Sequence, residues 1–338
     1  MAGLVSQPSQ MSQTSQSPAY VGRLAPSPTG ALHLGNVRTF MIAWLRARSQ
    51  GGKVIFRMED LDHPKDKPGA AAQAVEDLQW LGFDWDEEYV QSERIGCYRQ
   101  ALDSIRELVY PCVCSRRDVE AAQSAPHAGE QLYYSGTCRG RFATWREAQA
   151  FLDGTSDSRS SSASRMPCWR FKVSENTIIS FDDAFSGHYE QDVSRTLGDF
   201  PLARDEFGAG YTLACVVDDL LMGVTEVVRG DDLLAATPAQ ILLARALLGS
   251  SSSLFPLLSS LPVYCHVPLV VGKDGKRLAK RHGDTRIATY REAGKSPGEI
   301  LGILAASCGW AEEGESVSLR DLLPRFDLGT IPHSPFMI

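Results

Sequence analysis

The run from Tyr20 to Trp80 constrains the fold more than any other part of the chain. Tyr20–Leu24 reads as a short strand. It enters the loop "APSPTGALHLG", where Pro26 and Pro28 fix φ and remove two backbone donors. Gly30 and Gly35 permit close backbone approach there. From about Asn36 apolar residues recur at helical spacing, Val37, Met41 and Trp44 with Phe40 and Leu45 beside them. That helix is expected to end near Gly51–Gly52. A second strand is predicted over Val54–Met58, its end crowded by Glu59, Asp60 and Asp62, and a second helix over Ala70–Trp80. This order predicts an α/β fold with a doubly wound parallel sheet, whose ligands lie at the carboxyl ends of the strands. A glycine-bearing loop that feeds a helix N-terminus is also an anion site, because its unpaired N–H groups and the helix dipole face the same way.

The remaining chain divides by composition. Residues 1–19 are rich in Ser and Gln and are expected to be a disordered tail. Residues 20–110 hold the first half of the sheet. Residues 111–200 read as a mostly β insertion, with a cysteine cluster and a low-complexity serine loop at Gly154–Arg165. In residues 201–265 the α/β pattern resumes. "YTLACVVDDLLMG" is predicted helical toward its end, "VTEVVRG" is a strand ending at Arg229, and "TPAQILLARALLG" is an amphipathic helix with a Thr cap. Residues 266–338 bring a charged loop and then short helices.

The net charge of −7 argues against nonspecific coating of nucleic acid but leaves room for a local basic site. No apolar run is long enough to span a bilayer, and no charged-then-apolar leader precedes the first strand, so a cytoplasmic protein is expected. In that reducing compartment, eight cysteines with three between residues 112 and 138 point to metal before disulfides.

Two segments carry phosphate chemistry. One is His33–Leu34–Gly35–Asn36. The other is "GKDGKRLAKRHGD", which sets Lys273, Lys276, Arg277, Lys280 and Arg281 in a glycine-bounded loop. A mobile cationic loop suits a polyphosphate that must be gripped and then released. "HLGN" resembles the HIGH signature of class I aminoacyl-tRNA synthetases, and "RLAKR" resembles their KMSKS loop. "RLAPSPTGALHLGNVRT", "FRMEDLD" and "VVDDLLMGVTEVVRG" resemble glutamyl-tRNA synthetases in particular.

The resemblance implies a Rossmann-type catalytic domain in which a carboxylate attacks the α-phosphate of ATP, with Mg²⁺ accompanying the polyphosphate. It implies catalytic roles for His33, Asn36 and Lys280, and ATP binding by Pro28, Gly30, His33, Gly35, Asn36, Arg277 and Lys280. Arg277 stands where the family usually has a lysine and Ala279 where it usually has serine. The implied glutamate pocket is Arg23, Leu24, Ala25, Pro26, Ser27, Glu59, Tyr211 and Arg229. Arginine suits carboxylates because its planar fork binds both oxygens, while Glu59 would take the ammonium group. Cys215 sits where full-length glutamyl-tRNA synthetases have asparagine.

On a strand, Cys112 and Cys114 would share one face, and with Cys138 they offer three of the four donors that zinc requires. By residue chemistry His127, Tyr133 and Tyr134 all remain open as the fourth, His127 being favoured. The resemblance instead implies Tyr134, because C-x-C followed by Y-x-x-x-C is a pattern of the glutamyl-queuosine branch. The implied role of the zinc is structural.

After the basic loop the sequence runs only through residues 285–338, so no helical anticodon-reading domain is expected. With position 215 and the cysteine pattern, this resembles the glutamyl-Q tRNA(Asp) synthetases. The implied partner is then the anticodon stem-loop of tRNA(Asp) carrying queuosine, bound through phosphates and loop shape, and the protein is expected to be a monomer. A truncated glutamyl-tRNA synthetase would share every catalytic residue. A nucleotidyltransferase would need neither the glutamate pocket nor the zinc, and a non-catalytic RNA-binding paralogue would have lost His33, Glu59 or Lys280.

Overall fold

The computed structural model describes residues 20–61, 67–122, 132–155, 165–204, 206, 208–250, 254–255, 260–276, 278 and 285–338. The tail at 1–19, Asp62, His127, most of the serine loop, and Arg277, Ala279, Lys280 and Arg281 lie outside the described residues.

Strand β1 (Val21–Leu24), helix α1 (Leu34–Arg48), β2 (Lys53–Met58), α2 (Ala70–Trp80) and β3 (Glu87–Val90) follow in the expected alternation, and β1, β2 and β3 are parallel neighbours in that order. Helix α3 (Ile95–Ser104) leads to a second layer. Its elements are β4 (Val109–Cys112), α4 (Arg116–Ala122), α5 (Trp145–Thr155), β5 (Cys168–Phe171), β6 (Ile178–Asp183), β7 (Gly187–Asp192), the short α6 (Val193–Thr196) and β8 (Phe200–Ala203). Here pairing is antiparallel: β4, β5 and β8 form one sheet, and β6 and β7 form a hairpin. The chain then returns through α7 (Tyr211–Leu221), β9 (Glu226–Gly230), α8 (Thr237–Leu248) and β10 (Val263–Val267), with β9 and β10 parallel. It closes with β11 (Val270–Val271), α9 (Ile287–Glu292), α10 (Pro297–Ala306), α11 (Leu319–Leu322) and β12 (Phe336–Met337).

The two parallel ladders join edge to edge. Thr225 N–H donates to Val21 O at 2.9 Å, and Val21 N–H donates to the Thr225 hydroxyl at 2.9 Å. The combined order is β3-β2-β1-β9-β10, so the winding direction reverses between β1 and β9. A crevice opens outside the carboxyl ends of strands at such a reversal.

Both faces of this sheet are buried, as parallel strands require. Along β2, Val54, Phe56 and Met58 pack into one hydrophobic cluster with α1, α2, α10 and α11, while Ile55 packs into the other with α3, α7 and α8. β9 and β10 divide in the same period-two way: Val228, Cys265 and Val267 on the first side, Val227 and Tyr264 on the second.

Three local expectations change. Helix α1 begins at Leu34, two residues before Asn36, because the His33 side chain caps it. Helix α7 is helical from its first residue. Thr237 is not the cap of α8 but its first residue; the N-cap is Ala236, and the Thr237 hydroxyl is taken up by Arg229.

Candidate active site

The crevice at the reversal is a cleft of about 530 Å³. Its walls come from the ends of three strands and the starts of two helices. β1 supplies Arg23 and the loop after it, with Ala25, Pro26, Ser27, Gly30 and His33. β2 supplies Glu59, β9 supplies Arg229, α1 supplies Gly35 and Asn36, and the start of α7 supplies Tyr211. Leu24 and Pro28 are not among the walls. Leu24 alternates with Arg23 and turns its side chain into the core, where it is fully buried. Pro28 is buried within its loop, and its carbonyl accepts from Lys67 N–H at 3.0 Å.

His33 and Asn36 form a reciprocal capping box. His33 Nδ1 accepts from Gly35 N–H at 3.1 Å and Asn36 N–H at 3.3 Å, and Asn36 Oδ1 accepts from His33 N–H at 3.1 Å. Because Nδ1 acts as an acceptor, the proton of the neutral ring sits on Nε2. The start of α1 is further pinned by Leu34 N–H to Thr285 O at 3.1 Å and Ile287 N–H to Leu32 O at 2.9 Å. Val270, ahead of the basic segment, lines the cleft, and Thr285, just after it, bonds to the residue beside His33.

The charged walls are held from behind. The fully buried Arg57 donates from Nη2 to Glu59 Oε1 at 2.9 Å and from Nη1 to Asp219 Oδ1 at 2.6 Å. Burial opposes the Arg57 charge, but Asp219 and Glu59 outweigh it and hold its pKa well above the ordinary value. Cys215 Sγ lies 3.3 Å from Glu59 Oε1 as a donor, and its thiol is pushed up by burial and then by the Glu59 charge. Glu59 N–H also donates to Pro26 O at 2.9 Å, which ties the end of β2 to the loop after β1. Arg23 donates from Nη1 to Val228 O at 2.7 Å and stands 3.7 Å from Asp219. Arg229 donates from Nε to His266 Nε2 at 3.0 Å and from Nη2 to the Thr237 hydroxyl at 2.7 Å.

Sequence reasoning missed Arg57, Thr237 and His266, which act from behind the walls, and the apolar wall of Phe40, Leu233, Leu269 and Val270. The signal for Arg57 was present: residues two apart on a strand share a face, so Arg57 and Glu59 in "FRMED" were a readable pair. His266 and Thr237 come from separate elements, and nothing local announces them.

A second constellation sits in the antiparallel layer. The Sγ atoms of Cys112, Cys114 and Cys138 lie within 4.8 Å of one another. Tyr134 Oη is 3.2 Å from Cys112 Sγ and 3.6 Å from Cys114 Sγ, and Cys114 and Cys138 are 3.6 Å apart. Tetrahedral zinc with thiolate and oxygen ligands sets donor–donor distances of roughly 3.5–3.8 Å; the two 3.6 Å separations match that spacing and the 3.2 Å one is shorter, so the donor set suits zinc. Hydrogen bonds from Cys114 and Cys138 hold the Cys112 thiol well below its usual range, and Arg170 Nε, 3.2 Å from that sulfur, adds to the effect. The Arg170 guanidinium also stacks on the Tyr134 ring at 3.8 Å. Tyr133 is exposed and outside the cluster.

Residues 20–326 match the family described as "tRNA synthetases class I (E and Q), catalytic domain". The "Glutamyl-Q tRNA(Asp) synthetase" of Symbiobacterium thermophilum is 43% identical over 330 residues, covering 94% of this chain and 95% of that protein. The "Glutamate--tRNA ligase" of Aquifex aeolicus is 38% identical, covering 93% of this chain and 63% of that protein. Among solved structures, a glutamate tRNA ligase from Elizabethkingia meningosepticum in complex with its amino acid superposes with a TM-score of 0.73 at 26% identity, covering 95% of this chain and 67% of that one. With the family match spanning the strands that build the cleft, the chain belongs to the class I (E and Q) tRNA synthetases.

Proposed function

We propose that this ligase of the aminoacyl-tRNA synthetase type activates L-glutamate with ATP and transfers it to the queuosine base in the anticodon loop of tRNA(Asp). The observation that carries the activation step is the charge layout of one cleft. Arg23, Arg229 and Glu59 stand at the ends of three neighbouring parallel strands, beside the N-terminus of α1. Two cations and one anion match the two carboxylates and the ammonium group of glutamate. The helix N-terminus with His33 and Asn36 matches a phosphate, and Phe40, Leu233, Leu269 and Val270 offer an apolar wall for a flat base.

In this reading the glutamate α-carboxylate attacks the α-phosphorus of ATP and pyrophosphate leaves. His33 Nε2–H and Asn36 meet the charge that builds on the α-phosphate, Lys280 steadies the departing pyrophosphate, and Mg²⁺ travels with the nucleotide. A hydroxyl of the queuosine cyclopentene ring then attacks the glutamyl carbonyl, and AMP leaves. The Cys112–Cys114–Tyr134–Cys138 cluster would hold zinc, which ties the residues after β4 to those before α5 and shapes the surface that meets the anticodon stem-loop. The choice of acceptor is supported by that donor set and by the relative named for glutamyl-Q transfer. A cytoplasmic monomer completes the proposal; no helix among the described residues is long and apolar enough to cross a membrane.

The test is transfer of labelled glutamate to matched tRNA pools with and without queuosine. Transfer confined to the queuosine pool is expected. Equal transfer to both would mean charging of a tRNA 3′ end, and none to either would leave an RNA-binding paralogue.

A further inference from the structure

We infer that His266, itself oriented by Asp183, is a positioning residue for Arg229 and fixes which edge of that guanidinium faces the cleft. This rests on the reading of Arg229 as a glutamate-binding residue. His266 and Arg229 are direct partners in the parallel register of β10 and β9, so their side chains project to the same face. His266 is fully buried, and its two ring nitrogens have different neighbours. Nδ1 is 2.6 Å from Asp183 Oδ2, and Nε2 is 3.0 Å from Arg229 Nε.

The proton position follows from those neighbours. A guanidinium can only donate, so Nε2 must accept. The ring proton therefore sits on Nδ1 and is given to Asp183. Asp183 is itself held in place by hydrogen bonds: its Oδ1 accepts from the backbone N–H groups of His266 at 3.0 Å, Phe185 at 3.1 Å and Ser186 at 2.8 Å. Thr237 completes the arrangement, with its hydroxyl 2.7 Å from Arg229 Nη2 and 3.1 Å from His266 Nε2. Burial pushes the imidazole pKa down against the pull of Asp183, consistent with a neutral ring between the two charges.

Two consequences follow for Arg229. Its side edge, Nε–H with one Nη2–H, is occupied by His266 and Thr237. The end edge, Nη1 with the other Nη2–H, is the pair left for the cleft, and it spans the two oxygens of a carboxylate. The intervening imidazole also separates charges. A direct Asp183–Arg229 ion pair would neutralise the guanidinium, whereas a neutral ring passes on orientation and leaves the positive charge to the substrate. Asp183 lies at the end of β6, so the hairpin of the antiparallel layer reaches back to set one wall of the cleft.

Two variants separate the ends of this relay. In His266→Asn the amide N–H still reaches Asp183 but the acceptor for Arg229 is lost. In His266→Gln an acceptor near Arg229 is kept and the bond to Asp183 is lost. In glutamate-dependent ATP–pyrophosphate exchange, His266→Asn is expected to raise the glutamate KM more than tenfold and His266→Gln about two- to threefold, with the ATP KM within twofold in both. Equal effects of the two variants, or parallel shifts in both KM values, would overturn the inference and leave a core-packing role. Independently, ¹⁵N NMR of the histidine-labelled free protein at pH 7 is expected to show His266 as the Nδ1–H tautomer, and an Nε2–H tautomer would overturn the relay whatever the substrate. If the wild type shows no glutamate-dependent exchange, the substrate reading fails, and the tautomer still decides the relay.

Discussion

Replacing Arg57 by lysine tests whether Glu59 works as a placed group or merely as a charge at a strand end. Arg57 is wholly buried and bonds two carboxylates with the two arms of one fork, Asp219 at 2.6 Å and Glu59 at 2.9 Å. Lysine keeps the charge but is a point donor, so it can meet one of these carboxylates well and not both. A hydrogen bond to a charged group is worth about 1.5–3 kcal/mol. At about 1.4 kcal/mol per decade, losing the Glu59 contact should cost roughly 10- to 150-fold in glutamate kcat/KM. The charge remains to balance Asp219, so the fold should survive. Arg57→Met, by contrast, leaves buried carboxylates uncompensated and should destabilise by about 3–5 kcal/mol. The assay is glutamate-dependent ATP–pyrophosphate exchange, read beside urea unfolding. A lysine variant with kcat/KM within twofold of wild type would refute the reasoning, because Glu59 would then hold its place without the fork.

Lys280→Ala is expected to slow adenylate formation far more than it raises the glutamate KM; an unchanged activation rate in rapid-quench measurements would remove Lys280 from the reaction. Metal analysis of the purified chain should give about one zinc per chain, and Cys114→Ser should lower that content while unfolding the region after β4 first, as read by hydrogen exchange. Stability should fall as pH drops from 7 toward 5. Burial depresses the His266 pKa in the folded state, so the unfolded chain, whose imidazole titrates near ~6.5, binds more protons below that pH. That contribution is complete above the unfolded value and is lost as pH falls through the folded one. Asp183, held low against burial by its hydrogen bonds from His266, stays ionised throughout, and His266→Asn should flatten the loss in unfolding midpoint. His33→Asn should keep stability to within ~0.5 kcal/mol, since asparagine caps helices as well, yet lose more than tenfold in activation rate.

The parallel half of the fold was legible because its signals are local. The apolar run in "KVIFRM", buried on both faces, and the helical spacing after "HLGN" each sit within a few residues, and β1 and β2 fall within a residue of the expected spans, whereas β3 and β10 had no counterpart in the expected strands. The cleft was legible in part. Arg23, Glu59 and Arg229 sit at strand ends, where a doubly wound sheet puts its ligands, so topology and sequence agree on them. Leu24 entered the expected pocket only by adjacency to Arg23, and period two sends it the other way. Residue chemistry favoured His127 over Tyr133 and Tyr134 as the fourth donor, and only the resemblance implied Tyr134, whose Oη lies 3.2 Å from Cys112 Sγ and 3.6 Å from Cys114 Sγ. The Asp183–His266–Arg229–Thr237 set was illegible, because it joins a hairpin turn, two strands and a helix through register alone.

In the proposed reading, His33 is both a helix cap and a catalytic group, and the two roles need not compete. For an isolated H-x-G-N, a satisfied cap is the simpler account, and the structure does contain that cap. Capping uses Nδ1 alone, and by using it forces the neutral ring to carry its proton on Nε2, the form that donates to an anion. The same bonds hold the ring beside the helix N–H groups, so a phosphate bound as proposed would meet a donor whose orientation is already set. Gly35 makes this possible sterically: a side chain there would bring its Cβ within 3.1 Å of the imidazole and 3.5 Å of Val270. Asn36 returns the favour by accepting from His33 N–H, which leaves its amide N–H₂ as a donor. The cap is therefore the means by which the helix N-terminus presents an ordered set of donors, and the two readings of the motif describe opposite edges of one ring.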